Sequence, residues 1–327
     1  MELKSVFIVS LCLVAGVKCV AAAAPTPAPN STLQPILEVC HHVGANKFHQ
    51  LIQNSSGSYL LKLLQDSAKY PGSFSAFAFT DKAFFNAPAE VQNMAGQELE
   101  WLLQYHFAMG YAGNFGSKSD YLYPSVFPSP LEESLPPQDI RINRYNIYES
   151  AKLGFHKVVT ASGAQILKAD VPASNGVVHL IDKVMYPIPY GSNLPEFLAN
   201  APDLSTLTYL LKNNSILANL ATDPAHPLTL FAPTDTAFSR LTDAQKEKLK
   251  DKKTATHVLT YHVLNHALYH AGMYNYQKLT ALSGDSILVE RGVGGTSVAG
   301  KMLTYFDITV TNGVIYKLAE VMFPPGV

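Results

Sequence analysis

Four histidines near the end of the chain, His257, His262, His266 and His270, are the group best suited by type and spacing to chemistry. The last three recur every fourth residue. On one continuous helix their imidazoles would share a face, and such a face could hold zinc. The context argues against that use. No glutamate follows His262 to act as general base, and Asn265 with the Ala267-Leu268-Tyr269 run reads as a helix end. His41, His42 and His49 form a smaller cluster that meets the same objection. No Gly-x-Ser-x-Gly elbow is present, so a hydrolase nucleophile of that kind is absent from the sequence. Gly292-Val-Gly-Gly295 lacks the Lys-Ser/Thr of a phosphate loop, and Glu132-Glu133 reads as a solvated pair in a loop. The expectation is a chain with no catalytic residue, no metal and no cofactor, and so not an enzyme.

The cysteines narrow the chemistry further. Lys4, the apolar run Val6 to Ala15 and the small residues Ala21 to Ala24 read as a secretory signal over residues 1–24. A lipoprotein signal using Cys19 fits the preceding Gly16-Val17-Lys18 poorly. Removing the signal takes away Cys12 and Cys19 and leaves Cys40. Two fates are open for it. It is buried on an apolar helix face with Ile36 and Leu37, or it makes an intermolecular disulfide with another chain. Residues 25–32 are a Pro-rich lead-in. No later stretch reaches about 18 apolar residues, and the C-terminal residues lack a lipid-anchor tail. The expected location is secreted and extracellular, with no membrane span or lipid anchor. Sequons at Asn30, Asn54 and Asn213 are candidate glycosylation sites.

The elements that must position any site come as a repeat. A chain of 327 residues suits two domains of roughly 150. Hydrophobic residues make up 47% and charged residues 15%, which excludes a disordered chain. The net charge of −1 supplies no field for nucleic acid. Phe74-Ser-Ala-Phe-Ala-Phe-Thr-Asp-Lys-Ala-Phe84 matches Leu228-Thr-Leu-Phe-Ala-Pro-Thr-Asp-Thr-Ala-Phe238. Leu103 to His106 matches Leu259 to His262, and Asp170 to His179 matches Asp307 to Tyr316. The offsets are 154 (Phe74 to Leu228), 156 (Leu103 to Leu259) and 137 (Asp170 to Asp307), so the first copy carries extra residues between the last two landmarks. An aromatic-rich insertion at about 114–148 is the host, expected as an elaborated surface loop. Each copy reads as helices first, with caps at Asn46 and Asp203. A buried strand follows, ending at Thr-Asp, then further helix, then a closing hairpin. Asn175-Gly176 and Asn312-Gly313 read as type I′ turns, in which both residues take φ > 0. The fold class is α+β, twice. Residues 33–189 form the first domain and 190–327 the second, with Pro187 to Asn193 as the junction.

These landmarks, in order and twice, resemble the fasciclin-like domain, a secreted adhesion module. The resemblance covers nearly all of the chain after the signal. It implies two tandem domains, each a wedge or sandwich of β-strands with packed helices. It also implies cell or matrix adhesion through protein–protein contacts, in some animal members with integrin-type receptors. By that resemblance the adhesion candidates are Tyr105-His106 and Tyr261-His262, and the Asp-Ile pairs Asp170-Val171 and Asp307-Ile308. The first copy departs from the pattern at Phe79, where the second has Pro233, and at Val171 in place of Ile. An aspartate at a strand start could offer its carboxylate to a receptor-bound cation. The competing readings are a turn-capping Asp, a core-facing Ile and a hydrogen-bonded core His. The alternative function is an extracellular carrier or receptor for a small apolar or carbohydrate ligand. It would use Phe115, Tyr121, Tyr123, Phe127, Tyr145 and Tyr148 of the insertion.

Overall fold

The computed structural model describes residues 33–55, 58–65, 74–110, 113, 115, 120–127, 137–150, 154–188, 192–221 and 223–327. The signal segment, the Pro-rich lead-in, Asn30 and Glu132-Glu133 lie outside the described residues. The chain forms α1 (Ile36–His42), α2 (Asn46–Asn54), α3 (Tyr59–Gln65), β1 (Phe74–Phe79), α4 (Asp81–Phe85), α5 (Ala89–Gln92), α6 (Gly96–Tyr105), β2 (Phe107–Met109), β3 (Asp120–Pro124), β4 (Asp139–Ser150), β5 (Gly154–Ala161), β6 (Ala164–Ala173) and β7 (Gly176–Ile181). It continues with α7 (Leu194–Ala199), α8 (Ser205–Asn213), β8 (Leu228–Pro233), α9 (Asp235–Ser239), α10 (Asp243–Lys248), α11 (Lys252–Tyr261), β9 (Val263–Leu264), β10 (Lys278–Thr280), β11 (Ser286–Gly292), β12 (Gly295–Val298), β13 (Lys301–Val310) and β14 (Gly313–Leu318).

Two compact units result, and they do not follow the sequence repeat. Among the described residues, one comprises those within 33–117, 122–140 and 166–187; the other comprises those within 118–121, 141–165 and 188–327. The β4–β5 hairpin of the first repeat therefore clusters with the second repeat. Residues 120–124 and 139–148 of the insertion are strand rather than surface loop. Ile140, Ile142 and Ile147 are buried there, and branched side chains of this kind favour a pleated surface over a loop.

Each unit is organised by a parallel pair joining an early strand to its last. β1 runs parallel to β7 with Phe74 opposite Gly176 and Phe79 opposite Ile181. β8 runs parallel to β14 with Leu228 opposite Gly313 and Pro233 opposite Leu318. Every residue of β1 and β8 is buried, as expected of largely apolar strands covered on both faces. The one hydroxyl in each, Ser75 and Thr229, donates to a backbone carbonyl, of Gly110 and His266 respectively. In the first unit β2, β1, β7 and β6 lie side by side. There the rings of Phe48, Phe79 and Phe107 pack together, with Phe48 and Phe79 edge to face at 4.8 Å. In the second unit the order is β10-β11-β12-β13-β14-β8-β9. Leu230, Val263 and Ile315 anchor one apolar cluster, and Phe231, Tyr269 and Tyr316 another.

The Thr-Asp landmark closes the helical side of each unit. Thr80 and Thr234 accept from the amides of Ala83 and Ala237 and so cap α4 and α9. Asp81 reaches back to α2, taking Lys47 N–H at 2.7 Å and the Asn46 amide at 2.9 Å. Asp235 does the same for α8 through Thr206 N–H and the Ser205 hydroxyl. Neither expected cap acts as one. Asn46 is the first helical residue, and Asp203 pairs with Lys317 at 2.6 Å.

Candidate functional site

The closing hairpins show why Asn-Gly recurs. The two-residue loops are Ser174-Asn175 and Thr311-Asn312, one position earlier than expected, and each glycine opens the last strand. Neither Asn has positive φ, so the turns are not type I′. The asparagines are buried staples instead. Asn175 Oδ1 accepts from Ile36 N–H and its amide donates to Leu64 O. Asn312 Oδ1 accepts from Leu194 N–H and its amide donates to Leu220 O. Both tie helix ends to the hairpin. The glycines serve close approach: a Cβ on Gly176 would lie 2.0 Å from Phe74 O, and one on Gly313 2.2 Å from Leu228 O.

Asp170 and Asp307 occupy corresponding bulges in β6 and β13, where the register slips before Val171 and Ile308. Both are left-handed, with φ of +56° and +57°. Asp is among the residues that enter this region at modest cost. Asp170 N–H donates to His179 Nδ1 at 3.1 Å. Asp307 Oδ1 accepts from His270 N–H at 2.6 Å and lies 2.8 Å from Tyr316 Oη. Burial, with Asp307 beside it, raises the Tyr316 hydroxyl well above the ordinary phenol range. Val171 and Ile308 are half-buried opposite Val178 and Ile315, and Ile308 packs against the apolar core. Asp307 is half-buried, whereas Tyr305 just before it is 64% exposed and Phe306 41%. Sequence reading passed over these two rings. The signal was available, since the first copy has Lys168-Ala169 at the corresponding place.

Tyr105, His106, Tyr261 and His262 are buried in their units. Tyr105 Oη donates to Asp139 O and Tyr261 Oη to Ser286 O. His106 Nδ1 donates to Leu102 O, and its Nε2 accepts Met185 N–H at 2.9 Å. His262 repeats this with Val258 O and with Met322 N–H at 3.0 Å. Burial lowers both imidazoles to about 4. These four buried side chains tie α6 and α11 to β4, to β11 and to the segments that follow β7 and β14.

The remaining histidines are dispersed. α11 ends at Tyr261, His257 Nε2 meets Asp285 at 2.7 Å, His266 is exposed, and His270 Nε2 meets Thr296 Oγ1 at 2.9 Å. Among the described residues no group of three or more His, Cys, Asp or Glu is placed to hold a metal ion. Cys40 is fully buried in α1 and burial pushes its thiol up. The folded chain thus withholds Cys40 from an intermolecular disulfide. Of the insertion's aromatics, Phe127 is buried against Trp101 and Tyr105. Phe115 lies on His179, and Tyr121 and Tyr123 are half-buried. The Tyr145 hydroxyl accepts Tyr269 N–H at 3.0 Å, and Tyr148 is 39% exposed. Asn54 and Asn213 sit exposed at the C-terminal ends of α2 and α8. No helix among the described residues is long and apolar enough to cross a membrane.

Comparison with known proteins places this geometry. The Fasciclin domain model matches residues 44–187 and 202–324. Human periostin is 29% identical over 269 residues, covering 80% of this chain and 29% of periostin. The pig transforming growth factor-beta-induced protein ig-h3 is 27% identical over 267 residues, covering 80% of this chain and 36% of that protein. The chain thus spans about a third of the length of these relatives. A solved FAS1 domain pair from the insect cell adhesion molecule Fasciclin I aligns over 87% of this chain and 97% of its own, at 17% identity and a TM-score of 0.38. The chain belongs to the Fasciclin domain family, as two tandem domains.

Proposed function

We propose, with that membership as premise, that the chain is a secreted, non-enzymatic adhesion or extracellular-matrix glycoprotein. It acts through protein–protein contacts, and an integrin-type receptor is the candidate partner. The contact surface is Tyr305-Phe306-Asp307-Ile308 of the second repeat. The observation that carries this reading is the exposed ring pair beside the Asp307 bulge. Exposed aromatic anchors contribute contact area at low entropic cost, and such residues dominate protein interfaces. Asp307, tied through Oδ1 to His270 N–H and Tyr316, holds the bulge that presents them. The corresponding Lys168-Ala169 offers no ring, so the first repeat contributes less. The near-neutral charge favours local apolar contact over bulk electrostatics.

Cell attachment to the immobilised protein tests the reading. Tyr305→Ala with Phe306→Ala is expected to reduce attachment at least tenfold while the protein stays folded, with a small fall in melting temperature from the lost Phe306–His270 and Lys317–Tyr305 contacts. Asp307→Ala is expected to reduce attachment and also to loosen the bulge. Full attachment by the double variant would remove this surface from the account. The carrier reading loses ground because Phe127 and Tyr145 are engaged within the fold and the Tyr148 ring pairs with Phe155 at 5.2 Å.

A further inference from the structure

A cleft of about 420 Å³ opens in the second unit, lined by Ile147, Tyr148, Met273, Tyr274, Asn275, Tyr276 and Arg291. Three of these are tyrosines, and Tyr276 is 71% exposed. Tyr276 also holds φ at +61°, a left-handed conformation that a bulky residue rarely adopts. The turn around it is pinned. Tyr276 N–H donates to Val289 O at 2.8 Å, Val289 N–H to Gln277 O at 2.8 Å, and Tyr274 N–H to Gln277 Oε1 at 3.1 Å. A strained backbone that carries an exposed ring does nothing for the core, and strain of this kind collects at ligand sites. Arg291 is fixed at the same place: its Nη1 donates to Met273 O and its backbone N–H to Asn275 Oδ1 at 3.0 Å. The guanidinium is thereby aimed while retaining donors for a ligand.

These groups select a chemical class. A purely apolar ligand would strip water from Arg291 and Asn275 without replacing it. A sugar ring offers an apolar C–H face to a tyrosine and hydroxyls to the amide and phenol groups. Arg pairs with planar anions through a fork of N–H donors. We propose that this cleft binds an anionic oligosaccharide, with one pyranose ring against Tyr276 and its carboxylate or sulfate on Arg291. The site is separate from the Tyr305-Phe306 surface and stands whether or not that surface binds cells.

Calorimetric titration of the full chain tests it with three hexasaccharides: one bearing hexuronate, one sulfated and one uncharged glucose polymer. Binding of at least one acidic hexasaccharide, tenfold or more above the uncharged one, is the expected result. The two acidic arms separate carboxylate from sulfate. Tyr276→Gly suits the left-handed backbone, so its melting temperature should not fall while affinity drops at least tenfold. Arg291→Gln should abolish the preference for charge. No binding by any hexasaccharide, or equal binding by Tyr276→Gly and the parent, would overturn the site. Equal binding of charged and uncharged sugars would overturn the role given to Arg291.

Discussion

The Met185 and Met322 amides can only donate, which fixes the ring state of His106 and His262. Each Nε2 must be unprotonated to accept, and each Nδ1–H donates to the carbonyl four residues earlier. Protonation would set an N–H against an N–H in a buried site. Both imidazoles are lowered to about 4 from 6.5, with burial the main cause. Between those values the unfolded chain binds more protons than the folded one. Stability from this source is full above about pH 6.5 and is lost as pH falls toward 4. Each ring contributes at most about 3 kcal/mol to that loss. Urea unfolding from pH 7.5 to 4 should show the slope, and His262→Gln should flatten it by about one proton. The Tyr-His pair was legible in the sequence as a repeat landmark. Its bond to Met322, 60 residues on, has no local signature.

The elements carry the next lesson in the two hairpins. Ala on Gly313 would bring a Cβ within 2.2 Å of Leu228 O, across a parallel pairing with backbone on both sides. Gly313→Ala is therefore expected to cost more than about 3 kcal/mol, beyond ordinary surface changes. Asn312→Ala removes two buried bonds, to Leu194 N–H and Leu220 O, and should cost about 2 to 4 kcal/mol. Both changes are read from the denaturation midpoint at constant m-value. The buried strands and the helices opening at Thr-Asp follow from local pattern and were legible. By contrast α11 ends at Tyr261, ahead of the expected stop at Asn265, because Val263–Leu264 is taken up as a strand beside β8. The hairpin turn was misplaced by one residue. Its glycine answers to a strand roughly a hundred residues earlier, and its asparagine to helix ends still more distant in sequence.

At the scale of the whole molecule, the compact units cross the boundary that the repeat suggests. Arg141, 2% exposed, sits in the second unit with Asp120, Pro224 O and Thr311 O as its partners. Tyr145 touches the same unit's 267–272 segment, where a Cβ on Gly272 would meet its ring at 2.6 Å. That segment supplies His270 N–H to Asp307. A fragment of residues 190–327 omits Arg141 and Tyr145. Its amides at Tyr269 and His270 should exchange at least tenfold faster than those of a 118–327 fragment. Equal protection in the two fragments would sink the claim that 141–165 completes this unit. The repeat was legible in the sequence, but the surroundings of the hairpin were not: β5 still pairs with β6 of its own copy, while Arg141 and Tyr145 find partners in the other.

The parallel pairing of first and last strands has a consequence for biosynthesis. β1 meets β7 with Phe74 opposite Gly176, a separation of 102 residues, and β8 meets β14 with Leu228 opposite Gly313, a separation of 85. A ribosome adding about 5–20 residues per second leaves β1 without its parallel neighbour for roughly 5–20 s. Throughout that interval one backbone edge of β1, from Phe74 to Phe79, lacks its ladder partner. An unpaired strand edge is a template for pairing with other chains over the wait, and neither repeat can complete its sheet before its own C-terminal strand emerges.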